Sequence, residues 1–172
     1  MLIIERFTEA DIDTLLAFLK EQSREQLFNW AGTTFTPPVT RQQVLAYLNE
    51  GKSKRLPVNH YIVKAEKTGE AVGHFQLAEI DAVNKSVFLN RVYIHEPEQG
   101  KGYGAALLAE VKRLVLRDWG YHRLALYVLS TNTRALSLYR QAGFVEEGCL
   151  RDARLFNGEY VSLVQLSLLD SD

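Results

Sequence analysis

At 172 residues, with 47% apolar and 24% charged positions, the chain has the composition of a globular protein with one ordinary core, and disordered or collagen-like readings fall away. Its 20 Lys and Arg against 21 Asp and Glu leave a net charge of −1, too small a field to hold a polyphosphate chain, so no nucleic-acid partner is expected. The single cysteine, Cys149, excludes an internal disulfide and a cysteine-rich metal site.

The first residues, Met1 to Phe7, carry Glu5 inside the apolar run and no basic head, so they do not read as a signal peptide. No apolar run approaches the ~18–20 residues that cross a bilayer, so the expectation is a cytoplasmic protein without a membrane partner. Leu2 to Phe7 reads as a strand. Thr8 then caps a helix whose apolar positions Ile12, Leu15, Leu16 and Leu19 recur at helical spacing. An irregular stretch with Phe28, Trp30, Phe35, Pro37 and Pro38 follows. Thr40 and Gln43 form a capping-box signal for a second helix carrying Val44, Leu45 and Leu48 and ending near Gly51. Tyr61–Val63 and Ala71–Leu77, joined across Lys67-Thr68-Gly69, read as a hairpin, and Ser86–Ile94 adds a third antiparallel strand. The rhythm then switches to a helix from about Gly104 to Trp119, a short strand Leu124–Val128 and a helix Asn132–Gln141. The chain closes with strands Phe144 to about Arg154 and Tyr160–Leu168 across the turn pair Asn157-Gly158. The sum is an α/β protein whose sheet is antiparallel early and has a parallel crossover near its middle.

The segment Gln99-Gly100-Lys101-Gly102-Tyr103-Gly104-Ala105 lies between a strand and a helix. Amide N–H groups at a helix start have no intrahelical partner, the dipole is positive there, and glycines let the backbone approach closely, so this loop should bind an anion such as a phosphate. Gly100-x-Gly102-x-x-Ala105 also fits the dinucleotide fingerprint. That fingerprint needs an acidic residue at the tip of the next strand, and Leu124–Val128 runs into Leu129, Ser130 and Thr131 instead. Gly51-Lys52-Ser53 lacks the earlier glycine of a P-loop, which would fall at Ala46. His95-Glu96-Pro97 lacks the second histidine of a zinc helix, so no metal site is expected.

These residues resemble the GNAT superfamily of N-acetyltransferases. Gln99, Gly102 and Gly104 match its Gln/Arg-x-x-Gly-x-Gly/Ala acyl-CoA loop after the strand Leu89–Ile94, and Asn132 to Phe144 is similar to its Asn-x-x-Ala-x-x-x-Tyr-x-x-x-Gly-Phe segment. Glu147 to Arg151 and Phe156 to Tyr160 resemble the branch of ribosomal-protein N-terminal and spermidine acetyltransferases. The resemblance implies one N-acetyltransferase domain over residues 1–172: a mixed, mostly antiparallel central sheet with helices on both faces and a splayed central strand pair. It also implies acetyl-CoA as co-substrate and a primary amine, on a small molecule or a peptide N-terminus, as acceptor. A non-catalytic acyl-CoA sensor of the same fold is the alternative, and the edge strands are compatible with a homodimer.

By the same resemblance, Gly100, Lys101, Gly102, Tyr103, Gly104 and Ala105 would hold the CoA diphosphate. The main chain of Val92, Tyr93 and Ile94 would pair with the pantetheine arm, and Asn132 would combine helix capping with a cofactor contact. Tyr139 would protonate the departing thiolate, since a phenol of pKa ~10 is protonated at neutral pH. Among the acids Glu79, Asp81 and Glu96 and nearby His95, Glu79 is the expected general base, acting through water. Cys149, beyond the motif region, is expected to be a small buried residue.

Overall fold

A computed structural model describes residues 1–172. Seven strands form a single sheet in the order β1-β2-β3-β4-β5-β7-β6: β1 Leu2–Arg6, β2 Asn59–Ala65, β3 Ala71–Asp81, β4 Ser86–Ile94, β5 Arg123–Leu129, β6 Val145–Phe156 and β7 Glu159–Leu169. All neighbours are antiparallel except β4 and β5. Five helices cover the sheet: α1 Ile12–Leu19, α2 Arg24–Ala31, α3 Arg41–Asn49, α4 Tyr103–Lys112 and α5 Thr133–Gln141. Side-chain alternation sorts them to its two faces. On β2, Tyr61 and Val63 join the core under α4 and α5, while Ile62 joins the separate core made by α1, α2 and α3.

The local chemistry accounts for the element ends. The Asn157-Gly158 turn has positive φ at both residues, 51° and 81°, as a tight hairpin between right-twisted strands requires. α5 begins at Asn132, whose side chain accepts from the Ala135 N–H at 3.1 Å. It stops in a Schellman motif: Gly143 has φ 96°, its N–H reaches the Arg140 carbonyl, and the Phe144 N–H reaches the Tyr139 carbonyl, both at 3.0 Å. The Phe144 ring then packs edge-on against Tyr139, with centroids 5.7 Å apart.

The structure departs from the sequence expectation in three places. The stretch around Phe28 and Trp30 is a helix, α2, started by a reciprocal capping box between Ser23 and Gln26. The long helix ending near Trp119 is α-helical only to Lys112 and widens into a π-helix over Arg113–Asp118. Cys149 is exposed on β6, the edge strand of the sheet, in a run of exposed residues.

The parallel pairing of β4 and β5 extends only over Ser86–Phe88 with Arg123–Ala125. Beyond Phe88 the two strands separate, leaving the β4 edge from Leu89 to Ile94 without a partner on that side. Two irregularities mark this region. β4 bulges at Arg91, where φ is 50°, and Gly73 on β3 sits so near β4 that a Cβ there would lie 2.5 Å from the Tyr93 carbonyl oxygen.

Candidate active site

A cavity of about 670 Å³ opens where β4 and β5 part. One wall is the end of β4, Val92, Tyr93 and Ile94. A second is the start of α4 with its preceding loop, Gln99, Gly100, Gly102, Gly104 and Ala105. A third is α5, with Asn132, Leu138 and Tyr139. Ten of the residues singled out from sequence therefore meet in one place. The Gln99 side chain joins two of these walls: its Nε2–H donates to the Ile94 carbonyl at 2.9 Å, and its Oε1 accepts from Arg134 at 3.0 Å.

A diphosphate needs backbone donors that the chain itself leaves unpaired, and the glycine loop supplies them. Gln99 N–H bonds to Glu96, and Ala106 N–H bonds to Gly102. None of the six N–H groups from Gly100 to Ala105 between them finds an acceptor in the chain. Gly100 and Gly102 have φ of 79° and 85°, and a Cβ at either would point into open space rather than into protein. Together these make a row of unpaired donors at a helix N-terminus on a backbone that presents no side chain to a ligand, which matches the donor set an anionic diphosphate requires. The partnerless β4 edge beside it can accept an extended amide-bearing arm as an added strand.

Tyr139 is 8% exposed and makes no hydrogen bond through its hydroxyl within the chain. Burial pushes its pKa up from the usual phenol value, so it is a proton donor, not an anion, at any ordinary pH. Of the other sequence candidates, Tyr103 packs partly buried against the core, and Lys101 points outward to pair with Glu98 at 3.0 Å. Neither lines the cavity. Glu79, expected as the base, lies beside the Ser86–Phe88 end of β4, since Ala78 is paired with Phe88. At roughly 3.3 Å per residue along the strand, that is upward of ~10 Å from Val92. Its φ of 49° marks a bulge, and its side chain is exposed. The carboxylates that do line the cavity are Glu96 and Glu98.

For the fourth wall the resemblance places the Phe28–Pro38 stretch in general, but it singles out no residue of the wall as a site residue. The wall consists of Gln22, Gln26, Asn29 and Trp30, at the end of α1 and along α2. Trp30 stacks on Tyr93 with centroids 4.8 Å apart, and its indole N–H donates to Gln22 Oε1 at 3.1 Å. The Ser23-to-Gln26 spacing was the available signal for α2. Deeper on this face lies a buried polar cluster under α3. Arg91 donates to Glu50 at 2.9 Å and to Gln76, Gln76 also bonds Glu50, and Gln76 approaches His60 Nε2 at 2.9 Å. His74 Nδ1 faces the Arg91 carbonyl and so carries the proton, which leaves Nε2 to accept from the Tyr47 hydroxyl at 3.2 Å.

Sequence and fold comparisons agree with this geometry. Residues 24–144, more than two thirds of the chain, match the model of the Acetyltransferase (GNAT) family. The chain is 30% identical over 100 residues to spermidine N(1)-acetyltransferase of Vibrio cholerae and 33% identical over 94 residues to spermine/spermidine N(1)-acetyltransferase of Bacillus subtilis. These matches cover 58% and 55% of the chain and only 57% and 59% of the relatives, a little over half their length. The crystal structure of the Vibrio cholerae spermidine N-acetyltransferase in complex with CoA and spermine superposes with a TM-score of 0.83 over 99% of this chain and 96% of that one, at 20% identity. With its parted β4–β5 pair, its amide-lined helix start and its match over residues 24–144, the chain belongs to the acetyltransferase (GNAT) family.

Proposed function

We propose that the protein is an acetyl-CoA-dependent N-acetyltransferase acting on the primary amine of a small molecule by direct attack, with both substrates bound at once. The observation that carries this reading is the row of six unpaired amides, Gly100 to Ala105, of which Gly100, Gly102, Gly104 and Ala105 line the same cavity as Tyr139 and the free edge of β4.

Acetyl-CoA supplies an activated acyl thioester. The protein's part is placement and proton handling. The loop amides anchor the diphosphate, the β4 edge at Val92, Tyr93 and Ile94 guides the arm, and a main-chain N–H there polarises the thioester carbonyl. As the acceptor nitrogen bonds to the carbonyl carbon, the C–S bond breaks and the sulfur takes the Tyr139 proton. The acceptor nitrogen loses its own proton to water, through Glu96 in the cavity lining, and the phenol is reprotonated from solvent. The raised pKa of Tyr139 does not defeat this step, because the apolar surroundings that disfavour a phenolate disfavour a thiolate as well. Cys149 takes no part: it lies on β6 beside a separate shallow depression lined by Leu150, Arg151, Asp152, Ala153 and Ser162.

The relatives named for spermidine and spermine support a small amine as acceptor. Titration with CoA, followed by thiol release from acetyl-CoA over a panel of amines, tests the reading. CoA binding with amine-dependent release is expected. Binding without release from any amine would leave the acyl-CoA sensor, and absence of CoA binding would overturn the family-based site altogether.

A further inference from the structure

The acceptor side of the cavity differs in chemistry from the cofactor side, and its charge can be counted. Trp30 presents a ring held at two points. Tyr93 stacks behind it at 4.8 Å, Gln22 fixes the indole N–H at 3.1 Å, and Gln22 is itself anchored by its Nε2–H on the Phe18 carbonyl at 3.3 Å. Around Trp30 the lining side chains are neutral amides, Gln22, Gln26 and Asn29. Gln26 Oε1 is used to cap α2, which leaves its NH2 group free, and the Asn29 side chain has no partner in the chain. Of the two carboxylates lining the cavity, Glu98 is neutralised by Lys101 at 3.0 Å, so Glu96 is the single unpaired one. Glu50, the acid of the cluster under α3, does not line the cavity and is paired with Arg91 at 2.9 Å.

An acceptor with three amines keeps two ammonium groups after the reacting nitrogen is deprotonated; the wall around Trp30 has no carboxylate for them, and the cavity as a whole has one free carboxylate, Glu96, and a cation, Arg134. A flat, uncharged substituent is served far better: a rigid indole face offers stacking and apolar contact, and two free amide groups ring it. We infer that the acceptor is a small primary amine with a planar, uncharged tail, an arylalkylamine, whose ring lies on Trp30. This inference rests on the acetyltransferase reading and names its substrate class.

The test compares 2-phenylethylamine with spermidine as acceptors for the full chain, following thiol release from acetyl-CoA. The expected result is a kcat/KM at least tenfold higher for 2-phenylethylamine. Trp30→Ala should lower that value about tenfold, mainly through KM, with Trp30→Phe restoring most of it. The double variant Gln26→Glu with Asn29→Asp should raise kcat/KM for spermidine severalfold. A second readout is independent of turnover: with CoA present, 2-phenylethylamine should quench tryptophan emission, and Trp30→Phe, which leaves only Trp119, should abolish the quench. Spermidine acting as well as or better than 2-phenylethylamine would overturn the inference while leaving the acetyltransferase reading intact. Failure of both amines while the wider panel turns over would do the same, whereas failure of every amine would overturn both.

Discussion

Tyr139 and Gly102 concentrate the two halves of the proposed chemistry, and single substitutions separate them. Tyr139→Phe removes one oxygen atom that makes no hydrogen bond in the chain, so fold and CoA affinity should persist while turnover falls by about a hundredfold or more, the usual weight of a general acid. Rapid-quench acetylation alongside calorimetric CoA binding checks it, and an unchanged rate would remove Tyr139 from the proton-donor role. Gly102→Val acts oppositely. Its Cβ meets no protein atom, but φ at that position is 85°, so a β-branched side chain costs about 1–3 kcal/mol in strain and projects into the space assigned to the diphosphate. CoA binding should weaken at least tenfold with only a modest fall in Tm. Undiminished CoA affinity in a folded variant would contradict the loop assignment. At this scale the sequence was already informative: Gly100 and Gly102 stood out from their place before a helix, Asn132 and Tyr139 from the family resemblance, and all four line the cavity. Glu79 could not be excluded, because strand register decides which carboxylate reaches the cavity, and register is set by pairing across the sheet.

Among the elements, α2 is the one whose existence the sequence left open and whose position matters most for the acceptor side. It is only eight residues long and has little intrinsic helical stability. Two things hold it: the Ser23–Gln26 capping box at its start, and the packing of Leu27, Phe28 and Ala31 into the cores beneath. The tip of the β6–β7 hairpin closes over it, with Phe156 stacked on Phe28 at 4.1 Å and Asn157 donating to Glu25 at 3.2 Å. Ser23→Ala should therefore cost about 1 kcal/mol in urea unfolding. It should also raise KM for the acceptor more than it affects CoA binding, because Trp30 rides on this helix; equal effects on both ligands would refute that division of labour. The helix was hard to read because it is short and its burial comes from three different directions, so no single periodic stripe stands out. α4 and α5, which pack against one continuous core, were legible from their periodicity.

For the whole molecule, the polar cluster beneath α3 makes stability depend on acidity. His74 is fully buried, and burial, reinforced by neighbouring His60 and opposed by its bond to the Arg91 carbonyl, lowers its pKa to about 3. Unfolded chains take up that proton near pH 6.5 and the folded protein does not, so stability is full above that value and declines as pH falls from 6.5 toward 3, by up to about 1.4 kcal/mol per pH unit. Burial alone would raise the Glu50 carboxyl, but His60, Arg91 and Gln76 outweigh it and hold the pKa at about 2. That contribution is present above about pH 4.5 and is lost as pH falls toward 2. Urea titrations at pH 7, 5.5 and 4.5 should show a falling unfolding free energy, and Glu50→Gln should leave the slope between pH 6.5 and 4.5 intact. A flat profile over that upper range would mean that His74 is not buried neutral.

The pattern of apolar residues, turns and glycines determined by itself the strand succession, the helices other than α2, the parallel crossover and the glycine loop at a helix start, because those features depend on local backbone chemistry and periodicity. The point at which β4 parts from β5, a splay that only the family resemblance implied, the placement of Gln22, Gln26, Asn29 and Trp30 opposite the glycine loop, and the burial of His74 and Glu50 were decided in the tertiary structure. Each depends on which residues distant in the chain come to share a face, and neither spacing nor composition encodes that directly.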